Sequence, residues 1–138
     1  MKKYVFIVFV FPFLIFTCKM QHRMIEQPVK EISKVDNIDV PNALPYTIDS
    51  VFVKGDLLHI IVSYKAQKAT DFDLKWNGLW LKSFPPKTSM VLVPTNFAEG
   101  KKEFKQTCIF DLENLKSSRP FYLQIKGYAN SIFLDKED

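Results

Sequence analysis

The sequence is poor in the residues from which most catalytic and metal-binding sites are built. It contains two histidines, two cysteines and four glycines among 138 residues. A phosphate-binding loop needs several glycines within a few positions, and a zinc site needs cysteine and histidine at close spacing; neither pattern occurs. No nucleophile has a base at a recognisable spacing either. We therefore expect no metal, no cofactor and no enzymatic activity.

The few titratable side chains that could be considered have simpler interpretations. His59 interrupts the apolar run 57–61, where a half-buried or edge histidine is expected, because a general base needs a placed partner. Asp71 and Asp73 alternate along one strand beside Lys75, a pattern typical of a solvated face.

No apolar run is long enough to span a membrane comfortably. The longest, residues 4–16, has thirteen residues, whereas a spanning helix needs about 20. Lys2 and Lys3 precede this run, and the chain turns polar directly after Cys18. This order of a basic start, a short apolar stretch and a polar continuation is that of an export signal. We predict a signal peptide over residues 1–17.

The end of the signal, Ile15-Phe16-Thr17-Cys18, resembles the lipobox of bacterial lipoproteins. The resemblance implies that Cys18 is lipidated and becomes the mature N-terminus. It also implies several acyl chains on this residue, and hence permanent anchoring, because a single chain binds membranes only marginally. Lys19 in place of an aspartate implies the outer membrane, with the domain facing the periplasm. An ordinary cleaved signal and an uncut anchor are the alternatives.

The charge balance does not favour a nucleic-acid partner. The full chain has a net charge of +4, but Lys2 and Lys3 belong to the leader. The remainder carries 17 basic and 15 acidic side chains, a net charge of +2. No cluster of lysine and arginine interleaved with aromatic residues occurs, so the lysines are expected to lie on a solvated surface.

Cys108 is expected to be a buried, unreactive thiol. If Cys18 holds lipid, Cys108 has no partner within the chain. It alternates with Phe104, Gln106 and Phe110, as a residue on the inner face of a strand would. Free cysteine is common in protein cores, whereas a reactive cysteine needs a positive, partly exposed setting.

Residues 18–45 are predicted to be a lipidated N-terminus followed by a flexible tether. The segment contains Pro28, Pro41 and Pro45, mixed charge and no sustained apolar period. Such a composition does not bury enough apolar surface to fold by itself.

From Tyr46 onward, short runs rich in Val, Ile, Phe and Tyr are separated by turn residues, which predicts strands. The runs are residues 47–54, 57–65, 71–76, 79–82, 89–93, 103–112, 121–128 and 132–134. Short strands at this spacing are typical of a sandwich or barrel. We predict an all-β protein with a single β-sandwich of about seven or eight strands over residues 46–138, immunoglobulin-like in the order of its runs.

The stretch from Lys75 to Pro86, KWNGLWLKSFPP, is similar to a segment of small β-rich lipoproteins from Bacteroidetes that have no assigned activity. This resemblance, together with the lipobox-like signal, implies a small lipoprotein of the cell envelope. It implies no catalytic or metal role for any residue of this chain.

One surface feature is predicted from the same stretch. If Asn77-Gly78 forms a two-residue hairpin turn, Leu79 and Leu81 share the core face with Trp76, and Trp80 lies opposite Lys75 on the polar face. The candidate partner-contact residues on that face are Lys75, Trp80, Lys82 and Phe84. Burial of Trp80 under a loop, or a simple cation–π contact with Lys75, are the alternatives.

These features favour a lipid-anchored, non-enzymatic binding module of the cell envelope, whose partner is an envelope protein or a glycan. A structural or assembly accessory without a dedicated ligand is the alternative function, and an envelope hydrolase ranks last.

Overall fold

The computed structural model describes residues 24–135. The predicted signal peptide over residues 1–17, and Cys18 with its predicted lipid, therefore lie outside the described residues. Within residues 24–135 no helix is both long and apolar enough to cross a bilayer.

The described chain consists almost entirely of strands. The strands are β1 (Ile25–Glu26), β2 (Lys30–Glu31), β3 (Ser33–Lys34), β4 (Tyr46–Lys54), β5 (Leu57–Ala66), β6 (Asp71–Leu81), β7 (Lys87–Thr95), β8 (Lys102–Asp111), β9 (Phe121–Ile125) and β10 (Ile132–Leu134). One 3-10 helix, Glu113–Ser118, connects β8 to β9. The seven strands after Tyr46 match the predicted number, because two of the predicted runs are parts of the single strand β6.

Two sheets pack face to face, which confirms the predicted all-β sandwich. Sheet A has the order β1-β8-β5-β4, with β2 also paired to β8, and sheet B has the order β10-β9-β7-β6-β3. The hairpin predicted at Gly55-Asp56 joins β4 to β5. The strand order departs from the immunoglobulin pattern of antiparallel sheets, because β9 runs parallel to β7.

The core forms where the alternating side chains of the two sheets meet. In β5 every second residue from Leu58 to Ala66 is buried, as expected for a strand with one face on a core. The largest fully buried side chains are Phe72, Phe110, Phe121, Leu58, Ile60, Leu74, Met90, Leu92, Leu112, Leu123, Ile125 and Gln106. Aromatic and branched side chains at these positions fit the pleated inner surface, which is why the strands are stable there.

The segment predicted to be a flexible tether is, over residues 25–34, part of the sandwich. β1 and β2 run parallel to β8, and β3 runs parallel to β6. The prediction of a tether is therefore wrong for these residues. Three strands of two residues each are too short to show a period, so the sequence gives no pattern for them, and they form only because both sheets offer an edge to pair with.

The side chain of Gln27 joins the two sheets. Its Nε2 donates a hydrogen bond to the carbonyl oxygen of Phe72 at 2.9 Å, and its Oε1 accepts one from the Phe72 N–H at 2.8 Å. Its own backbone N–H donates to the carbonyl of Thr107 on β8 at 2.9 Å. Gln27 thus pairs with sheet A through its backbone, and with β6 through an amide that imitates a neighbouring strand.

Further buried polar groups complete this network. The amide of Gln106 donates to Oε1 of Gln27 at 3.2 Å, and the hydroxyl of Tyr64 donates to Oε1 of Gln106 at 2.7 Å. The Tyr64 hydroxyl in turn accepts a hydrogen bond from the N–H of Thr70 at 3.1 Å. Within the part of the chain that the structure describes, no buried side-chain nitrogen or oxygen lacks a partner, as expected when buried polar groups are stable.

Candidate functional site

The candidate surface depends on the conformation of β6 around Asn77-Gly78. These residues do not form a hairpin turn; β6 continues through them to Leu81. The register with β7 jumps from Trp76–Met90 to Trp80–Thr88, so three residues of β6 bulge out opposite one of β7. Gly78 has a φ of +76°, so the Asn-Gly pair does provide a left-handed residue. This left-handed residue allows a bulge within β6 and not a reversal of the chain.

The hydroxyl of Thr88 holds the bulge. It accepts a hydrogen bond from the indole N–H of Trp76 and donates one to the carbonyl of Leu79, each at 2.7 Å. The Leu79 N–H donates to Oδ1 of Asn77 at 3.1 Å, which closes a local turn. Thr88 is itself buried, so these bonds fix the bulge from the core side. The chain reverses further on, between Leu81 and Lys87, a loop that contains a cis peptide bond before Pro85.

Because of the bulge, Trp80 lies on the core side rather than the exposed side. Its ring meets Phe121 edge to face at 5.1 Å and Trp76 at 5.8 Å, and it is half-buried against the core. The prediction that Trp80 is an exposed aromatic plate is therefore wrong. A two-residue turn would have placed Leu79 beside Trp76, whereas a three-residue bulge returns Trp80 to that side.

The bulge also separates the other candidate contact residues. Lys75 is half-buried in the middle of sheet B, between Val91 on β7 and Ser33 on β3. Lys82 and Phe84 are exposed in the loop after β6, and Phe84 has its full side chain in solvent. The structure thus keeps Lys82 and Phe84 together and does not bring Lys75 or Trp80 to their surface.

Two leucines that were predicted to be core residues, Leu79 and Leu81, lie on the exposed face where Trp80 was expected. Leu79 is 69% exposed and Leu81 is 64% exposed. Residues directly paired across a sheet share a face, and Leu81 begins such a row: Leu81, Lys87, Tyr122 and Phe133 are paired in turn across β6, β7, β9 and β10. The sequence did not predict this row because a two-residue turn assigns Leu79 and Leu81 to the core face and Trp80 to the exposed face. The bulge produces the opposite arrangement.

We call the surface made by Leu79, Leu81, Phe84, Tyr122 and Phe133 the tip surface. The rings of Tyr122 and Phe133 contact each other at 5.0 Å, and the ammonium group of Lys87 lies 5.6 Å from the centre of the Tyr122 ring. Phe133 is 46% exposed. The tip surface therefore groups exposed apolar side chains at one end of sheet B, with Lys87 between Leu81 and Tyr122.

Lysines lie beside the tip surface where β6 ends and β7 begins, and Asp135 lies just after β10, two residues beyond Phe133. Lys82 and Lys87 are exposed beside it. The sequence has no aspartate or glutamate from Leu74 to Ala98, a stretch that contains three lysines. Two lysines without an acidic residue in the same segment favour a partner with negative charge on the β6–β7 side of the tip surface.

A concave site lies at the opposite end of the sandwich, which we call the cleft end. Its volume is about 640 Å³. The cleft is lined by Pro45, Tyr46, Thr47, Ser63, Tyr64, Lys65, Phe97, Glu99, Gly100, Glu103, Phe104 and Lys105. It lies where β5 ends and β4 and β8 begin, beneath the loop that joins β7 to β8.

The titratable residues considered in the sequence analysis lie at separate places in residues 24–135. His59 is half-buried, as predicted, and its ring stacks on Phe52 at 4.9 Å. Asp73 forms an ion pair with Lys30 at 3.0 Å. Cys108 is fully buried on β8, which confirms its prediction, and burial raises the pKa of its thiol to about 12. Among residues 24–135 no three metal-ligating side chains cluster.

Comparison with protein-family models, with curated proteins and with solved structures finds no significant match for this chain. The fold and the two surfaces are therefore the basis for any functional assignment.

Proposed function

We propose that the chain is a lipid-anchored, non-enzymatic binding module of the cell envelope that binds a protein partner through its tip surface. Cys18 would carry the lipid, and the outer membrane, with the domain facing the periplasm, is the location that the signal favours. The exposure of Leu79, Leu81, Phe84 and Phe133 at the same end of sheet B is the observation that carries the binding proposal.

Exposed apolar side chains are ordinary when they are scattered, but a contiguous group is characteristic of an interaction site. The tip surface adds two aromatic rings, Tyr122 and Phe133, to its aliphatic side chains. Aromatic residues supply much of the binding free energy at protein interfaces when a partner excludes water from them. The tip surface therefore has the composition of an interface centre.

The partner is expected to be acidic around an apolar centre. Lys82 and Lys87 edge the tip surface without any nearby acidic residue in the segment from Leu74 to Ala98. Charges at the edge of an interface mainly raise the association rate and select the partner. An acidic rim on the partner would meet both lysines while its apolar centre covers Leu81 and Phe84.

The route of the N-terminal segment supports a protein partner over the anchoring membrane. Gln27 lies beside Phe72 near the start of β6, and Leu81 ends that strand; β7 covers the same span from Pro94 to Lys87, which is about 23 Å. Only five residues lie between Cys18 and Met24, a reach of about 20 Å at most. A lipid on Cys18 would hold the cleft end nearer the membrane and direct the tip surface away from it.

Site-specific photo-crosslinking in cells tests the binding proposal. A benzophenone amino acid at position 84 reports on the tip surface, and one at position 52 is the control, because Phe52 is an exposed aromatic residue on the other sheet. We expect a discrete protein adduct from position 84 that is absent from position 52. The adduct should weaken about tenfold or more when Lys82→Glu and Lys87→Glu are combined.

Three outcomes would contradict this proposal. They are adducts with phospholipid instead of protein, equal adducts from positions 84 and 52, and an adduct that is insensitive to the two charge reversals. Absence of any adduct from position 84 would favour the structural accessory instead.

The anchor is tested separately by labelling cells with palmitate. We expect label in the wild-type protein and none in Cys18→Ala, and the wild type should fractionate with the membranes. A wild type that takes up no label and is released in soluble form would remove the lipid anchor from the proposal while leaving the tip surface to be judged by crosslinking.

A further inference from the structure

We propose that the outer face of sheet A lies against the bilayer that holds the anchor. The inference rests on the lipid at Cys18 in the proposed function, and it adds which side of the domain the membrane contacts. Among residues 24–135, the exposed large apolar side chains fall into two groups. The first group belongs to the tip surface, and the second consists of Met24, Val29 and Phe52 around sheet A.

Phe52 belongs to an apolar row on the outer face of sheet A. In β5 the buried residues alternate with half-buried ones, and the half-buried set faces outward. Phe52 pairs with His59 of this set, and His59 pairs with Ile109 on β8, so all three side chains share the outer face. Ile61 adds a further apolar side chain one row away. An antiparallel sheet face that meets only water usually carries polar side chains, so this row indicates an apolar cover.

Met24 and Val29 extend the apolar row to the opposite edge of sheet A. β2 runs parallel to β8, and its register places Val29, directly before β2, beside Ile109. The hydroxyl of Thr107 on β8 donates to the sulfur of Met24 at 3.3 Å. Met24 and Val29 are both exposed, as is Phe52 on the edge strand β4. Exposed apolar side chains therefore lie at both edges of one face.

The route of the chain identifies the bilayer as the cover. Met24 lies at this face, and only five residues lie between it and Cys18, a reach of about 20 Å at most. From Val29 to Phe52 the face crosses β8 and β5, a width of about 15 Å. A lipid on Cys18 therefore keeps the bilayer within reach of the whole face.

The anchor makes a weak contact sufficient. Three exposed apolar side chains give a free domain only marginal affinity for a bilayer, because membrane binding scales with the apolar area that is buried. A tethered domain docks as an intramolecular step at a high effective concentration. The tip surface lies on the outer face of the other sheet, where Tyr122 and Phe133 alternate with buried residues. The contact therefore directs the tip surface away from the bilayer.

The charges on this face do not favour anionic head groups as the attraction. Lys65 lies 3.5 Å from Glu103, and Lys105 lies 3.9 Å from Asp49, so these charges are matched. Glu26 on β1 adds a negative charge at the edge. Attraction to anionic lipid needs a cluster of lysine and arginine. The apolar side chains are therefore what the bilayer attracts.

Photo-crosslinking in isolated membranes tests this inference on the full chain. A benzophenone amino acid replaces Phe52, and in the matched control it replaces Phe133 of the tip surface; the two positions are 42% and 46% exposed. Cells are grown with radioactive phosphate, so that an adduct with phospholipid carries the label. We expect about tenfold or more labelled adduct from position 52 than from position 133, because only the face of sheet A is held at the bilayer.

Two carboxylates at the far edge of the face locate the contact. Met24→Asp combined with Val29→Asp leaves the crosslinker at position 52 in place and should lower its phospholipid adduct about tenfold or more. Ala129→Asp combined with Asn130→Asp adds the same charge in the exposed loop after β9 and should leave the adduct unchanged. Circular dichroism confirms that both double variants are folded.

Equal phospholipid adducts from positions 52 and 133 would overturn the inference. So would a protein adduct from position 52, which would make this face a protein interface, or a phospholipid adduct that the two carboxylates leave intact. Palmitate labelling judges the anchor separately. A labelled chain without a phospholipid adduct from position 52 would remove this contact and keep the anchor, and none of these results bears on the protein adduct from position 84.

Discussion

At the cleft end of the sandwich, polar side chains are buried and hydrogen-bonded, whereas at the tip, large apolar side chains face solvent. Gln27 and Gln106 are each 2% exposed, and both are bonded to other buried groups. Leu81 and Phe84 at the other end are exposed and contact no second layer. Each end departs from the simple rule of apolar inside and polar outside.

The difference lies in what the rest of the chain supplies to each end. At the cleft end the N-terminal segment crosses from sheet A to sheet B and provides Gln27, whose amide meets both backbone groups of Phe72. A buried polar group is tolerated when it is fully paired. At the tip no segment among residues 24–135 covers the outer face of the sheet, which is why a partner is proposed there and not at β1.

Trp80→Ala should produce the largest loss of stability, because it removes an indole that packs between Trp76 and Phe121 under the tip surface. We expect about 3 kcal/mol, below the upper range for a buried tryptophan since the side chain is half-buried. Urea denaturation followed by circular dichroism measures it. A loss of stability near zero would mean that Trp80 is exposed to solvent, as predicted from the sequence.

Gln27→Met should produce the next largest loss of stability, about 2 kcal/mol. Methionine has a similar volume but leaves the N–H and C=O of Phe72 and the amide of Gln106 without this partner. Glu31→Ala on the neighbouring β2 is the matched control and should change the free energy of unfolding by less than about 0.5 kcal/mol. Equal losses of stability in both variants would mean that the hydrogen bonds of Gln27 do not hold residues 25–34 against the sheets.

Alkaline pH should destabilise the protein through groups buried in the core. Burial raises the pKa of Cys108 and of Tyr46 to about 12 each, from ordinary values of 9.0 and 10.0. The folded state keeps these protons to a higher pH than the unfolded state, so their contribution is complete below pH 9 and is lost as pH rises towards 12.

At pH 10 the free energy of unfolding should be about 2 kcal/mol lower than at pH 8. Urea denaturation across this range measures the change. Cys108→Val removes the thiol, so the free energy of unfolding should fall less between pH 8 and pH 10. An unchanged fall in this variant would mean that other groups cause it.

Phe84→Ser should have the smallest effect on stability, below about 0.5 kcal/mol, because the side chain is fully exposed. The same substitution should abolish partner binding, if the tip surface is the interface. Thermal unfolding of the variant beside Trp80→Ala gives the sharpest comparison, since the two residues are only four positions apart but Trp80 packs on the core and Phe84 is exposed in the loop after β6. A large loss in Phe84→Ser would show that this loop supports the fold.

Much of the fold could be predicted from local patterns. The alternation in residues 57–66 and 103–112, and the turn at Gly55-Asp56, correspond to β5, β8 and their neighbours in the structure. Cys108 could be placed on the inner face from its alternate neighbours alone. These predictions are confirmed because each depends on a period of two within one strand, which is visible without knowledge of any partner strand.

The candidate site could be predicted only in part. The Asn77-Gly78 pair correctly indicated a left-handed residue, but the same pair suits a hairpin turn and a bulge. The choice depends on β7, which pairs with β6 on both sides of the bulge and bonds it through Thr88. This difference exchanged the faces of Leu79, Trp80 and Leu81, while Lys82 and Phe84, beyond the strand, stayed exposed as predicted.

The sequence alone determined the class of fold, the inner faces of the regular strands and the burial of Cys108, because these follow from side-chain alternation over a few consecutive residues. Tertiary structure decided the rest: that residues 25–34 join both sheets, that Trp80 turns inward, and that a cleft forms beneath the loop at Gly100. Each of these depends on pairing between segments far apart in the chain. Such a contact depends on both segments and on the register between them, so the pattern of either segment alone does not reveal it.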